Sequence, residues 1–297
     1  MNDAKRDANR QVRLRRLITW ALVLLLIAAF AGWIVWTNTH VQITRYPVSA
    51  AIPDAFDGYV VAQVSDLHNY EWGNQLIDHL KEEQPDLIVV TGDLVSFDDT
   101  DYDTAIEFIR QAVTIAPVYY SNGNHEAEFV LYPELEEAME AEGVIILRND
   151  AAHIAAGDET FNLIGLDDPE FEPTLPDEGQ RAVMAEALDQ HMDDSRYNLV
   201  LSHRPEEIDV YVEAGAELVL TGHTHGGQIR LPFIGGIYAP GQGFFPDYVE
   251  GIHDVGGTTM VISRGLGNSV LPFRFNNTPE LVIVVLQSEQ SDIRETD

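Results

Sequence analysis

Apolar and polar positions follow two rhythms along the 297-residue chain. Leu17 to Trp36, LITWALVLLLIAAFAGWIVW, is a run of 20 residues without a charge. At about 1.5 Å per residue, a helix of that length crosses the roughly 30 Å hydrocarbon core of a bilayer once. Past residue 58, short β-branched runs alternate with amphipathic stretches. The runs predict strands at 59–65, 86–91, 117–121, 143–147, 161–166, 197–202, 217–221, 258–263 and 281–287. The stretches predict helices at 74–83, 101–113, 133–142, 179–191 and 205–214. Such alternation indicates an α/β domain with a largely buried sheet. Residues 37–58, with Pro47, Pro53 and Gly58, read as a connector. With no fixed-period repeat, four parts result: a segment at 1–16, a span at 17–36, the connector at 37–58 and one domain at 59–297.

Charge gives the span a direction. Residues 1–16 carry Lys5, Arg6, Arg10, Arg13, Arg15 and Arg16 against Asp3 and Asp7, a net of +4. Arginines on that side, with Trp20 near one end of the run and Trp33 and Trp36 near the other, place the N-terminus in the cytoplasm and the domain on the outer side of the cytoplasmic membrane. A cleaved signal peptide has an apolar stretch of about 7–15 residues ending at small residues. Here the run continues past Ala28, Ala29 and Ala31 to Trp36, which fits an uncleaved anchor.

The remaining 281 residues hold 11 basic and 47 acidic side chains, a net of −36. A body of that charge repels phosphate polymers, which argues against a nucleic-acid partner. Cysteine is absent, so thiolate nucleophiles, disulfides and Cys-based zinc sites are excluded. The two lysines, Lys5 and Lys81, lie in no P-loop pattern. Any metal must sit on His, Asp, Glu or Asn.

Residues of that kind stand at the ends of successive strands. The run at 59–65 leads into Asp66-Leu67-His68, 86–91 into Gly92-Asp93, 117–121 into Asn122-Gly123-Asn124-His125-Glu126, 197–202 into His203, and 217–221 into Gly222-His223-Thr224-His225. In open α/β sheets ligands bind outside the carboxyl ends of the strands, so segments far apart in sequence can converge on one pocket. A lone Asp-x-His or Gly-Asp is most often a cap or turn. Five such sites at successive strand ends point instead to one centre. His40, His79, His153, His191 and His253 fit no such pattern.

In this order the motifs resemble those of the calcineurin-like metallophosphoesterases: Asp66/His68, Asp93, Asn124/His125/Glu126, His203 and His223/His225. Gly222 to Gln228, Ser263 to Gly267 and the Pro272…Glu280 stretch are similar to the membrane-associated bacterial branch, which includes phosphodiesterases and hydrolases of UDP-2,3-diacylglucosamine. The resemblance implies an αββα four-layer sandwich, here preceded by one transmembrane helix. It implies two divalent ions, with Asp66, His68 and His225 on one, Asn124, His203 and His223 on the other, and Asp93 bridging. Mixed oxygen and imidazole donors suit Mn²⁺, Fe or Zn²⁺. His125 matches the family's active-site histidine, which protonates the leaving oxygen or stabilises its charge, and Glu126 is expected to orient it. Arg204 and Arg264 are candidate phosphate partners or surface ion pairs. The expected substrate is a phosphodiester or pyrophosphate, lipid-linked or of the UDP-diacylglucosamine type. The alternatives are a tethered enzyme acting on soluble nucleotides or monoesters, and a binding protein without turnover. Oligomeric state has no signature in the sequence.

Overall fold

The computed structural model describes residues 2–268 and 271–289. Its strands, in chain order, are β1 (Gln42–Ala50), β2 (Val60–Val64), β3 (Leu87–Thr91), β4 (Val118–Ser121), β5 (Ile145–Ile146), β6 (Asp150–Ala156), β7 (Glu159–Gly165), β8 (Asn198–Leu201), β9 (Leu218–Thr221), β10 (Arg230–Leu231), β11 (Gly235–Gly236), β12 (Tyr238–Ala239), β13 (Gly243–Phe244), β14 (Gly251–Val255), β15 (Thr258–Ile262) and β16 (Glu280–Ser288). The helices are α1 (Asn2–Thr39), α2 (Gln75–Glu83), α3 (Asp103–Ala112), α4 (Asn124–Glu128), α5 (Tyr132–Ala141), α6 (Asp177–His191) and α7 (Ile208–Ala214). Two six-stranded sheets run in the orders β1-β16-β2-β3-β4-β5 and β14-β15-β9-β8-β7-β6. The strands β2 to β5 are mutually parallel, as are β15, β9, β8 and β7.

The period of two along each strand sorts side chains into layers. On β3, Leu87 and Val89 face the second sheet, whereas Ile88 and Val90 pack under helices with Leu80, Ile109 and Leu135. On β8 and β9, Leu199, Leu201, Leu218 and Leu220 join the central layer. Between them, Val200 and Val219 face outward onto Met184 and Leu188 of α6 and Tyr211 of α7. Helices therefore cover the outer face of each sheet, giving the four-layer αββα sandwich. One polar side chain crosses the central layer: Gln63 on β2 donates to Thr91 Oγ1 (3.0 Å) and to the carbonyl of Thr221 on β9 (2.8 Å), locking the sheets together beneath their carboxyl ends.

Two expectations need correction. The connector at 37–58 is largely structured, because Gln42–Ala50 pairs along its whole length, in parallel, with β16. Pro47 suggested a loop, but an edge strand tolerates a residue without an N–H. The expected strand at 143–147 shrinks to Ile145–Ile146. The span itself lies inside a longer helix, α1, whose stretch from Asn9 to Thr39 is long and apolar enough to cross a membrane, with its most apolar window unburied.

Leu220 is fully buried between the sheets, and we expect Leu220→Ala to lower the unfolding free energy of the full chain in detergent by about 2–5 kcal/mol. Denaturant titration checks this, and a loss below about 1 kcal/mol would contradict a close-packed central layer.

Candidate metal centre

Five loops at the carboxyl ends of β2, β3, β4, β8 and β9 meet because their backbones are stitched to one another. The N–H of Asp66 donates to Gly92 O (3.0 Å), that of His68 to Asp93 O (3.0 Å), and that of Gly222 to His203 O (3.0 Å). Carboxylates continue the stitching. Asp66 accepts from the N–H of His223 (3.0 Å) and from Ser65 Oγ (2.6 Å), and Asp93 Oδ1 accepts from the N–H of His125 (2.9 Å). Approach this close leaves no room for side chains at two glycines. A Cβ on Gly92, whose φ is +84°, would lie 2.6 Å from Gly123 and from His203 Nδ1, and one on Gly222 would lie 1.9 Å from Ser65 Oγ.

Asp66, His68, Asp93, His223 and His225 all adopt positive φ, between 48° and 68°. Each non-glycine residue in that region costs on the order of 1–3 kcal/mol and persists only where its surroundings enforce it. The strain turns these side chains inward, and all five are buried, as is His203. Two groups form. Asp66, His68, Asp93 and His225 bring one ligand atom each within 4.8 Å of one another, and so do Asp93, His203 and His223. Asp93 belongs to both. Its Oδ2 lies 3.1 Å from Nε2 of His203 and 3.8 Å from Nε2 of His68. On the other side, Nε2 of His225 lies 3.1 Å from Nε2 of His68 and 3.3 Å from Asp66 Oδ1.

The donor set fits metal ions. Asn124 Oδ1 and His223 Nε2 are buried without a hydrogen-bond partner, a costly state for polar atoms unless something else satisfies them. Ring orientation agrees, since His203 Nδ1 lies 2.8 Å from the carbonyl of Thr91, which turns Nε2 to the cluster as in metal-binding histidines. Burial holds His68 down to about 3, and burial together with His203 and His68 respectively holds His223 and His225 well below the usual imidazole range. These three rings are therefore neutral near pH 7. Burial opposes charge on Asp93 and His203 alike, but the two face each other at 3.1 Å, and the pairing keeps the Asp93 carboxyl well below the usual range and raises His203 to about 10.

The structure also places the expected catalytic and phosphate-binding residues. His125 stands at the start of α4, packed edge-on against His68 (4.6 Å between centroids), with Nε2 3.9 Å from Asp93 Oδ2. Its Nδ1 accepts from the N–H of Phe97 (3.1 Å), so the neutral ring carries its proton on Nε2. Glu126 does not contact the His125 ring. Its carboxylate accepts from the backbone N–H groups of Asp93, Leu94, Val95 and Gly123, at 2.7–3.3 Å, and fixes the Asp93 loop. Arg204 forms a bidentate pair with Asp168 (2.8 and 3.0 Å) and reaches Glu170 (2.6 Å). Arg264 bonds Glu280 (3.0 Å) and faces Glu250. Both arginines thus pair with carboxylates.

Two residues escaped the motif reading. Glu206 turns a carboxylate to within 3.6 Å of His223 Nε2. Arg274, fully buried, donates to the carbonyls of Gly267 and Arg264 and holds a nitrogen 3.2 Å from His225 Nδ1. Neither sits in a strand-end motif. The hint was Arg274 itself, a cation in an otherwise apolar Leu-Pro-Phe-Arg-Phe stretch.

Comparison with known proteins agrees with this centre. Residues 59–227 match the family model described as calcineurin-like phosphoesterase. The chain is 30% identical over 272 residues to the uncharacterized metallophosphoesterase YkuE of Bacillus subtilis, covering 86% of this chain and 90% of that protein. It is 29% identical over 208 residues to the phosphodiesterase YaeI of Escherichia coli, covering 69% and 72%. A third relative, the uncharacterized protein YpbG of Bacillus subtilis, is 29% identical over 225 residues, covering 75% and 79%. With the sandwich and the paired His/Asp clusters already in place, the chain belongs to the calcineurin-like phosphoesterases, metal-dependent hydrolases that work with two divalent ions.

Proposed function

We propose that this protein is a membrane-anchored hydrolase that cleaves a phosphodiester or pyrophosphate bond of a lipid-linked substrate, with α1 as its anchor. The observation that carries the reading is the meeting of two buried donor groups at one carboxylate, Asp93, with unpaired lone pairs facing the junction. Asp66, His68 and His225 are assigned to one ion, Asn124, His203 and His223 to the other, and Asp93 to both. Bound there, a pair of ions would activate water and neutralise phosphoryl charge during in-line displacement. His125 presents Nε2–H beside Asp93, where it can donate a hydrogen bond to the departing oxygen and stabilise the charge that develops there. Glu126 keeps Asp93 in place by holding the N–H groups of Asp93, Leu94 and Val95. The basic segment before the span supports placing the domain on the outer side of the cytoplasmic membrane.

Hydrolysis of bis-p-nitrophenyl phosphate by the full chain in detergent tests the reaction, and p-nitrophenyl phosphate separates a diesterase from a monoesterase. Chelation is expected to abolish turnover and Mn²⁺ to restore it. Asp93→Asn should lower the content of both ions together with the rate. Full activity in chelator, or wild-type metal content in Asp93→Asn, would contradict the shared-carboxylate mechanism.

His125→Ala is expected to retain its metals and lose about 10²–10⁴-fold in rate on esters with poor leaving groups. The deficit should narrow as the leaving group becomes more acidic. A constant deficit across that series would remove the role at the leaving oxygen.

A further inference from the structure

In a chain with 49 acidic residues, those from 218 to 246 include none, and Arg230 is their one charge. Residues 255 to 279 are also free of Asp and Glu. The fold brings these two stretches together, since the N–H of Arg230 donates to Phe275 O (3.0 Å) and Ile229 bridges Phe275. The first stretch forms two small hairpins, β10–β11 and β12–β13. They present Phe233, Ile234, Phe244 and Phe245 to solvent, Phe244 at 72% exposure and Phe233 completely. Exposed aromatic and aliphatic side chains gathered on two small hairpins of a strongly acidic protein mark an interaction surface.

Continuity with α1 says what covers it. Phe275 packs edge-on against Trp33 at 5.8 Å between centroids and lies 6.3 Å from Phe30. Asn38, on the last turn of the same helix, bonds both the N–H and the carbonyl of Arg274 (2.6 and 2.8 Å). Phe30 lies six residues before the end of the apolar run, about 9 Å along the helix axis. A helix that places Leu17–Trp36 in hydrocarbon therefore draws Phe275, and the hairpins bonded to its strand, to the membrane surface. The hairpins also wall a cavity of about 390 Å³ whose lining includes His225, Ile229, Ile237, Tyr238, Phe244 and Leu271. That volume is in the range of small-ligand sites, and His225 belongs to the donor group described above.

We propose that residues 229–246 lie in the bilayer interface beside α1, and that the cavity they wall receives the alkyl chain of a membrane-resident phosphate ester while its phosphate reaches the metal centre. This rests on the reading of α1 as a span and of the centre as the place of hydrolysis, and it names the hairpins and the chain-binding wall. Aromatic side chains suit an interfacial position, and because the hairpins carry no carboxylate of their own and Glu250, which reaches them, is paired with Arg230, they feel less repulsion from an anionic lipid surface than the rest of the domain would.

The absence of cysteine makes the test clean. Leu25→Cys, Phe233→Cys and Asp158→Cys, each in the full chain, carry a single fluorophore in vesicles of phosphatidylethanolamine and phosphatidylglycerol with brominated acyl chains. Asp158 is exposed in the β6–β7 turn, at the opposite end of its sheet from the metal centre. Labels at 25 and 233 are expected to be quenched at least twofold more than the label at 158. Quenching at 25 with none at 233 overturns the interfacial hairpins while leaving the anchor intact, also where the unquenched face proves to associate with a second copy. No quenching at 25 overturns the anchor and this inference with it. For the cavity, kcat/KM on p-nitrophenyl alkyl phosphates in micelles is expected to rise at least tenfold from ethyl to octyl, the effect of burying roughly two methylenes. Phe244→Ser should cut that ratio severalfold. Micelle partition is common to both proteins, so equal ratios in the two would overturn the chain-binding wall, and hydrolysis of none of the esters would instead overturn the proposed reaction.

Discussion

The site depends on one buried carboxylate. Asp93 lies out of water among three imidazoles, with one oxygen held by the N–H of His125 and the other facing Nε2 of His203 at 3.1 Å. A charge in such a place is tolerated only when paired and hydrogen-bonded, and the surrounding loops are built to meet that demand. Glu126 clamps the loop through four backbone N–H groups. Gly92 and Gly222 allow the backbones to approach within the reach of these bonds. Positive φ at five of the converging residues is the conformational cost of aiming every donor at the same small volume. The sandwich beneath supplies the rigidity, through the central leucines and the Gln63 cross-link, that keeps this cost from relaxing the site.

The coupling of α1 to this centre is short. Asn38 grips the backbone of Arg274, and the Arg274 guanidinium reaches Nδ1 of His225. Arg274 is buried without a carboxylate in contact, so burial lowers its affinity for a proton to about 10 while leaving it charged near pH 7. Carbonyl groups of Arg264 and Gly267 take up its donors instead. The helix end, the segment at 271–277 and the ligand loop after β9 thus form one connected unit.

Strands carrying runs such as Leu87–Thr91 and Leu218–Thr221 were legible because both faces are buried and every position is apolar or Thr. The site was legible for a related reason. Asp66, Asp93, His203 and His223 break those apolar runs at their carboxyl ends, and a polar residue there has few roles besides a ligand or a turn. Strand β1 was not legible, since it lies at an edge with mixed exposure and contains Pro47. The hairpins at 230–244 were not legible because two-residue strands in a segment rich in Gly and Pro carry no periodicity. Glu126 was assigned to the wrong partner, because sequence adjacency to His125 carries no information about a side chain that folds back onto a loop some thirty residues earlier. Arg274 and Glu206 reach the site only through tertiary packing.

The account centres on two ions sharing Asp93, and electron paramagnetic resonance of the Mn²⁺-loaded full chain tests it most directly. Two ions held by one carboxylate are close enough to couple their spins, so the account predicts the multiline signal of an exchange-coupled pair, collapsing to isolated six-line signals in Asp93→Asn. Isolated signals from the fully loaded wild-type protein would contradict it.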